Sequence, residues 1–230
     1  MRSNPILLEH QFTLLCEGAA DQNFFLKLLE MRGGYPPFNC LDPKEHHGAT
    51  NFNNMLKAIQ GDQKSFSRQK GVLILADSAS DPQATFQNIC DQVQRAGNFP
   101  VPTSLSATAF PDPAKNAGMP AVCIILLPTD TQPGCLETLC VKVLLEQYPW
   151  AAPCLNNYLS CDQITAFKWP VEKRDKARYH CLVAAINKDD PSKAVSSAFR
   201  AHENKLPLID VTNTVFNPVA DRIKTFCAAC

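Results

Sequence analysis

The 230-residue sequence predicts an α/β fold built on a mostly parallel sheet flanked by helices, with a helical C-terminal extension. Three observations carry this expectation. GVLILAD is apolar on both faces, as a central parallel strand covered by helices on each side requires. AVCIILLP repeats that pattern further along the chain. Both runs, and HQFTLLCEG near the start, are followed by segments with helical spacing, and such alternation argues for a parallel sheet.

In chain order, HQFTLLCEG is a short apolar run ended by an acid and a glycine. ADQNFFLKLLEMRGG then repeats Phe24, Phe25, Leu28 and Leu29 at helical spacing before a Gly-Gly stop. FNCLDP is a candidate strand. TNFNNMLKAIQGD places Phe52, Met55, Leu56 and Ile59 on one helical face, with Thr50 or Asn51 as its cap. PQATFQNICDQVQRAG reads as a helix from Pro82, a good first-turn residue, to Gly97. NFPVPTSLSATAFPDPAKNAGMP is rich in Pro, Ser and Ala and reads as an irregular excursion with one short strand in LSATAF. GCLETLCVKVLLEQYP supplies the helix after AVCIILLP. Beyond Pro149, RDKARYHCLVAAIN and SKAVSSAFRAHE look helical, and no long apolar strand follows. The expected layout is an α/β core over residues 5–150 with a helical extension, 151–230, packed on it.

Composition narrows the function classes. The eleven cysteines are scattered, often inside apolar runs, as reduced buried thiols are. The opening MRSNPILLEHQF lacks the apolar stretch of a secretory signal, and no run reaches the roughly eighteen apolar residues of a membrane span. The expectation is a cytoplasmic chain with no membrane segment. Cys227-Ala-Ala-Cys230 has metal-ligand spacing, but zinc needs two further ligands and no second pair matches; as a prenylation box it lacks upstream basic residues. Twenty-two basic residues balance twenty-two acidic ones, so any binding to nucleic acid must use a local patch. There is no GxxxxGK loop and no GxSxG frame, and the adjacent His46 and His47 diverge on most backbones, which argues against a joint metal site.

The acids are more informative. In an open parallel sheet, ligands bind beyond the carboxyl ends of the strands. Glu17 and Asp77 each stand directly after an apolar strand. If those strands are neighbours, about 4.8 Å apart, both carboxylates reach one divalent cation. Asp21 lies four residues beyond Glu17, and Asp81 four beyond Asp77. Glu137 stands in the first turn of the helix after AVCIILLP, with Asp130 upstream. Carboxylates crowded at one edge repel unless a proton or cation intervenes. A set free of histidine and cysteine selects Mg²⁺ or Mn²⁺ over zinc. A plainer reading exists for each: Glu17 and Glu137 as favourable charges at helix N-termini, worth roughly 0.3–1 kcal/mol, and Asp77 and Asp81 as turn residues leading into Pro82. A phosphoacceptor receiver domain also groups acids at strand ends, but it wants a lysine just after a late strand, and ILLPTD offers none.

LLCEGAADQNFFLKLLE resembles the first motif of Toprim domains, an apolar strand ending in Glu-Gly before a helix. GVLILADSASD resembles their second, an apolar strand ending in acids. GATNFNNMLKAI, ILLPTDTQPGCLETL and PLIDVTNTVFNPVADRIKTF are similar to a small stand-alone Toprim-related group akin to the nuclease half of OLD-type proteins. The resemblance implies Mg²⁺- or Mn²⁺-dependent phosphodiester hydrolysis of DNA or RNA, with Glu17 as metal ligand or general base and Asp77 as the leading metal ligand. Asp21 matches the second acid of OLD-type nucleases, and Glu137 and Asp81 complete the candidate metal set. One departure stands out: the family's second strand usually ends Asp-x-Asp, whereas Asp77 is followed by Ser78 and Ala79. Asp81, on a longer loop, is the candidate replacement. The alternative is a catalytically degenerate Toprim-like binding or adaptor module partnering an ATPase; Ala79 favours it, and the retained acids favour the enzyme. Whether the chain forms a homodimer is left open.

KWPVEKRDKARYH concentrates base: Lys173, Arg174 and Arg178 are the candidate nucleic-acid contacts, beside Lys168 and Lys176, with Trp169, Tyr179 and His180 interleaved. With Glu172 and Asp175 mixed in, a merely solvated helix face is the competing reading.

Overall fold

Strand β3 (Gly71–Asp77) organises the sheet because its residues are buried on both faces, the last one excepted. The computed structural model of the chain describes residues 8–41, 51–61, 66–115, 117–201 and 206–230. His46, His47 and Thr50 lie outside the described residues. β3 pairs in parallel with β1 (Phe12–Cys16) on one side and β5 (Ala121–Leu127) on the other. β2 (Phe38–Cys40) adds a parallel edge to β1, and the two-residue β4 (Thr108–Ala109) an antiparallel edge to β5, giving the order β2-β1-β3-β5-β4. The expected mixed α/β architecture with a mostly parallel sheet is thus present.

Alternate residues of the strands feed two apolar layers. Val72, Ile74 and Ala76 face α2 (Phe52–Gln60) and α3 (Pro82–Ala96). Leu73 and Leu75 share an apolar cluster with residues of α1 (Ala19–Arg32), α4 (Leu136–Gln147), α7 (Val171–Ile186) and α9 (Asn217–Ala229). Two short helices, α5 (Ala151–Leu159) and α6 (Asp162–Thr165), connect α4 to α7. Among the described residues, no helix is long and apolar enough to cross a membrane.

Local signals set the element ends. Asn51 caps α2, its side chain accepting the Asn54 N–H at 3.1 Å. Gly33, at φ +63, closes α1 by donating its N–H to the Leu29 carbonyl at 3.0 Å. The segment 192–203, expected to be helical, forms only α8 (Val195–Ala198) within its described residues. The Ala198 carbonyl instead accepts the Ile209 N–H at 3.1 Å, and Phe199 is buried against Phe24 with ring centroids 5.4 Å apart. Tertiary packing overrides helical composition there.

Residues after 150 share an apolar cluster with the strands. Tyr179, Leu182, Phe216 and Phe226 belong to the same buried set as Leu14, Leu73 and Cys123. Phe226 meets Phe12 edge-on at 6.0 Å, and a Cβ added to Gly71 would stand 2.5 Å from its ring. Arg32 of α1 clamps the approach to α9 by donating to the carbonyls of Val211 and Asn213 and to Asn217 Oδ1, at 3.1, 2.9 and 2.8 Å. Phe226→Ala should therefore lower the unfolding free energy by about 3–5 kcal/mol, read from the midpoint of urea denaturation, with Phe226→Leu losing less. A Phe226→Ala midpoint equal to the parent's would put α9 outside the core.

Candidate metal centre

The parallel register pairs Cys16 with Leu75, so the residues that follow β1 and end β3 emerge at the same rim of the sheet. Glu17 Oε2 accepts the Asp77 N–H at 3.3 Å. Asp77 in turn rests on the N-terminus of α4: its Oδ1 accepts the Leu136 N–H at 3.0 Å, while Lys176 Nζ of α7 stands 3.5 Å from Oδ2. Asp21 occupies the third position of α1, and its Oδ2 accepts the Gly18 N–H at 3.1 Å. Glu137, in the first turn of α4, and Cys135 place ligand atoms within 4.8 Å of each other and of Asp77.

Burial and like charge act together on these groups. Burial, then the charge of Asp77, pushes Glu17 up to about 7. Burial also dominates at Asp77, which rises to about 6 although Lys176 opposes the shift; Glu137 adds to it and the Leu136 amide opposes it. Asp21 is raised well above the usual carboxylate range by burial and then by Asp77, Glu17 and Glu137. Partial burial would lower the pKa of Lys176, but the carboxylates of Asp77 and Glu137 outweigh it and hold the ammonium. Four carboxyl groups thus face one ammonium, the imbalance that a divalent cation with oxygen ligands relieves.

Cys135 departs from the expected cysteine-free set. Burial, with Glu137 and Asp77 nearby, raises its thiol far enough to keep it protonated. With one thiol beside four carboxyl groups, the donor set is still dominated by oxygen.

Two loops are stapled together beneath these acids. Ala79 and Gly134 exchange backbone hydrogen bonds of 2.9 and 2.8 Å, and the buried Ser78 donates through Oγ to the Gln132 carbonyl at 2.8 Å. Gly134 lies at φ +146, and a Cβ there would collide with Thr138 Oγ1. That hydroxyl accepts the Cys135 N–H at 3.0 Å and donates to Asp175 Oδ2 at 2.6 Å. The buried Asp175 of α7 also pairs with Arg178 at 3.5 Å, so α7 braces the N-terminus on which Asp77 rests.

The predicted residues are only partly gathered. Glu17, Asp21, Asp77 and Glu137 converge. Asp81 is the N-cap of α3, its Oδ1 accepting the Ala84 N–H at 3.0 Å, and it is not among the carboxylates acting on Glu17, Asp21 or Asp77. In this structure its carboxylate is engaged in capping α3 and stands apart from the four converging acids. Asp130 lines a different pocket, with Arg222. Lys176 leaves the basic face and turns to the acids. With Glu17, Asp77, Ala79 and Glu172 it lines a pocket of ≈ 540 Å³. Arg174 and Arg178 line a second pocket on the other flank of α7, whereas Lys173 is exposed and lines neither. Thr138 and Asp175 carried no sequence signal because their bond arises from the return of α7 onto α4, and Cys135 carried none because only folding brings Asp77 to it.

The sequence matches, over residues 11–226, the family described as Protein of unknown function (DUF3226). The chain belongs to DUF3226. The match spans both the strands bearing Glu17 and Asp77 and the helix bearing Lys176, so the DUF3226 unit includes the whole centre. No curated protein and no solved structure matches the chain significantly.

The raised carboxyls set a pH dependence. The folded chain binds more protons than the unfolded chain between each ordinary and raised value, so their contribution to stability is full below about pH 4 and is lost as pH rises through about 6 to 7. In EDTA, Glu17→Gln should flatten this fall and exceed the parent at pH 8 by on the order of 1–3 kcal/mol, measured by urea denaturation at pH 5 and pH 8. Superimposable pH profiles for parent and variant would contradict the assignment.

Proposed function

We propose that the chain is a Toprim-like, divalent-cation-dependent nuclease that hydrolyses phosphodiester bonds in DNA or RNA. The observation that carries the reading is the convergence of Glu17, Asp21, Asp77 and Glu137 on one rim, where burial and neighbouring carboxylates raise the pKa of Glu17, Asp21 and Asp77 and where Lys176 is the one ammonium facing them among the described residues. Asp21, Asp77 and Glu137 would hold Mg²⁺ or Mn²⁺, the hard cations that carboxylate oxygens select. When bound, such an ion supplies charge stabilisation to a phosphoryl oxygen and acidifies an attacking water.

The protein groups divide the remaining work. Glu17, beside Asp77 at the wall of the same pocket, would act as the general base that takes the proton of an attacking water. Lys176, with its side chain 46% exposed at the pocket wall, presents an ammonium to the anionic oxygens of an incoming phosphate. The Leu136 amide at the end of α4 fixes the rotamer of Asp77, so the ligand is oriented before a cation arrives.

A second reading is a binding or adaptor module of the same fold that partners an ATPase. The Lys176–Asp77 pair favours it, because an internal ammonium supplies part of the missing positive charge. So does Ala79, which stands where the Toprim pattern has its second aspartate.

The two readings separate in one experiment. Asp77→Asn should reduce Mn²⁺-dependent cleavage of labelled DNA and RNA by at least about 100-fold, beyond the effect of losing an outer-shell partner, without lowering the melting temperature. Unchanged cleavage by that variant removes the catalytic assignment, and absence of cleavage by the parent in Mg²⁺ and Mn²⁺ favours the adaptor. Ala79 lies at φ +53, a left-handed conformation that aspartate tolerates better than alanine, and it lines the acidic pocket. Ala79→Asp should therefore raise Mn²⁺ affinity in calorimetric titration; a weaker affinity would show that this position cannot serve as a ligand.

A further inference from the structure

Helix α7 separates two pockets of opposite character. Asp175, Tyr179, Leu182 and Val183 form its buried face. At helical spacing, Glu172 and Lys176 fall on one flank of that face and Arg174 and Arg178 on the other. The first pair lines the acidic pocket, and the second lines a pocket of ≈ 470 Å³. An α-helix with its side chains is about 10–12 Å across, so one helix width divides them. Lys173 stands exposed between the two flanks.

The second pocket combines positive charge with an aromatic surface. Lys168, Arg174 and Arg178 supply cations, while Trp169, Leu159 and Ile164 supply apolar wall, and none of its described lining residues is a carboxylate. Arg174 has no salt bridge among the described residues, and Arg178 uses Nη1 on Asp175 at 3.5 Å. Trp169 stacks on Phe167, with centroids 5.2 Å apart and planes at 22°, and Phe167 is 58% exposed. Lys168 between them lies at φ +47, uncommon for a lysine. Cationic groups that grip phosphate, set beside stacked rings that accept any base, are the chemistry of single-strand binding. Bases paired within a duplex offer no free face to Trp169.

We propose that this pocket binds an unpaired nucleotide of a single-stranded nucleic acid, its base against Trp169 and its phosphate on Arg174 and Arg178, with the strand crossing α7 toward the acidic pocket. The site needs the nuclease reading only for the fate of the bound strand. Its volume is within the range of small-ligand pockets.

The test measures fluorescence anisotropy of labelled oligo(dT), alone or annealed to oligo(dA), with the full chain in EDTA, where cleavage is silent. The single strand should bind more tightly than the duplex. Trp169→Ala should weaken it by about 5- to 100-fold, and Arg174→Ala should lower the slope of log affinity against log salt by about 1. Trp169→Phe keeps a stacking face and should retain most of the binding, which separates lost stacking from lost folding. The chain has two tryptophans, so Trp150→Phe leaves Trp169 as the only one, and its fluorescence should be quenched by oligo(dT). Equal or tighter binding of the duplex, or unchanged affinity in both Trp169→Ala and Arg174→Ala, overturns the proposal. Binding with these dependences but no cleavage on adding Mn²⁺ keeps this site and removes the nuclease. Cleavage unaffected by either substitution keeps the nuclease and removes this site.

Discussion

Repulsion among buried carboxyl groups governs the upper rim of this sheet. Glu17, Asp21, Asp77 and Glu137 cannot all ionise beside one half-exposed ammonium without raising the free energy of the folded state, and the elevated pKa values of the first three express that conflict. A fold selected for stability alone would relieve it with apolar residues or further bases. Strongly perturbed carboxyl groups gathered at one rim mark a candidate site, and a bound cation would relieve their conflict.

Backbone geometry enforces this crowding. The β1–β3 pairing fixes the separation of Glu17 and Asp77, and the Leu136 amide of α4 directs the Asp77 carboxylate. Asp175 and Thr138 brace the N-terminus of α4 from below, while Ala79 and Gly134 tie the two flanking loops together. Elements distant in sequence therefore share one function: the helix that supports the acids through Asp175 also carries Lys176 into their pocket and Arg174 into the next.

The parts of the fold legible in the sequence were those with local causes. β3 and β5 declare themselves by apolar runs that need cover on both faces, and α3 by Pro82 and Gly97 at its ends. Glu17 and Asp77 were legible for a related reason, since an acid directly after a buried parallel strand has little choice of location. Asp81 shows the limit of that logic: four residues past Asp77 it looks like another ligand, yet the start of α3 claims its carboxylate as a cap. Cys135 and Asp175 were illegible because their neighbours come from elements that meet only on folding. The same holds for α8, where the burial of Phe199 cuts short a helix that composition alone would extend.

A crystal soaked in Mn²⁺ and measured at the manganese absorption edge interrogates the rim itself. Cation binding by these acids predicts an anomalous peak contacted by carboxylate oxygens of Asp77 and at least one of Glu17, Asp21 and Glu137, with Lys176 displaced from Asp77. Saturating Mn²⁺ that leaves no peak there, with the lysine still seated on Asp77, would contradict it.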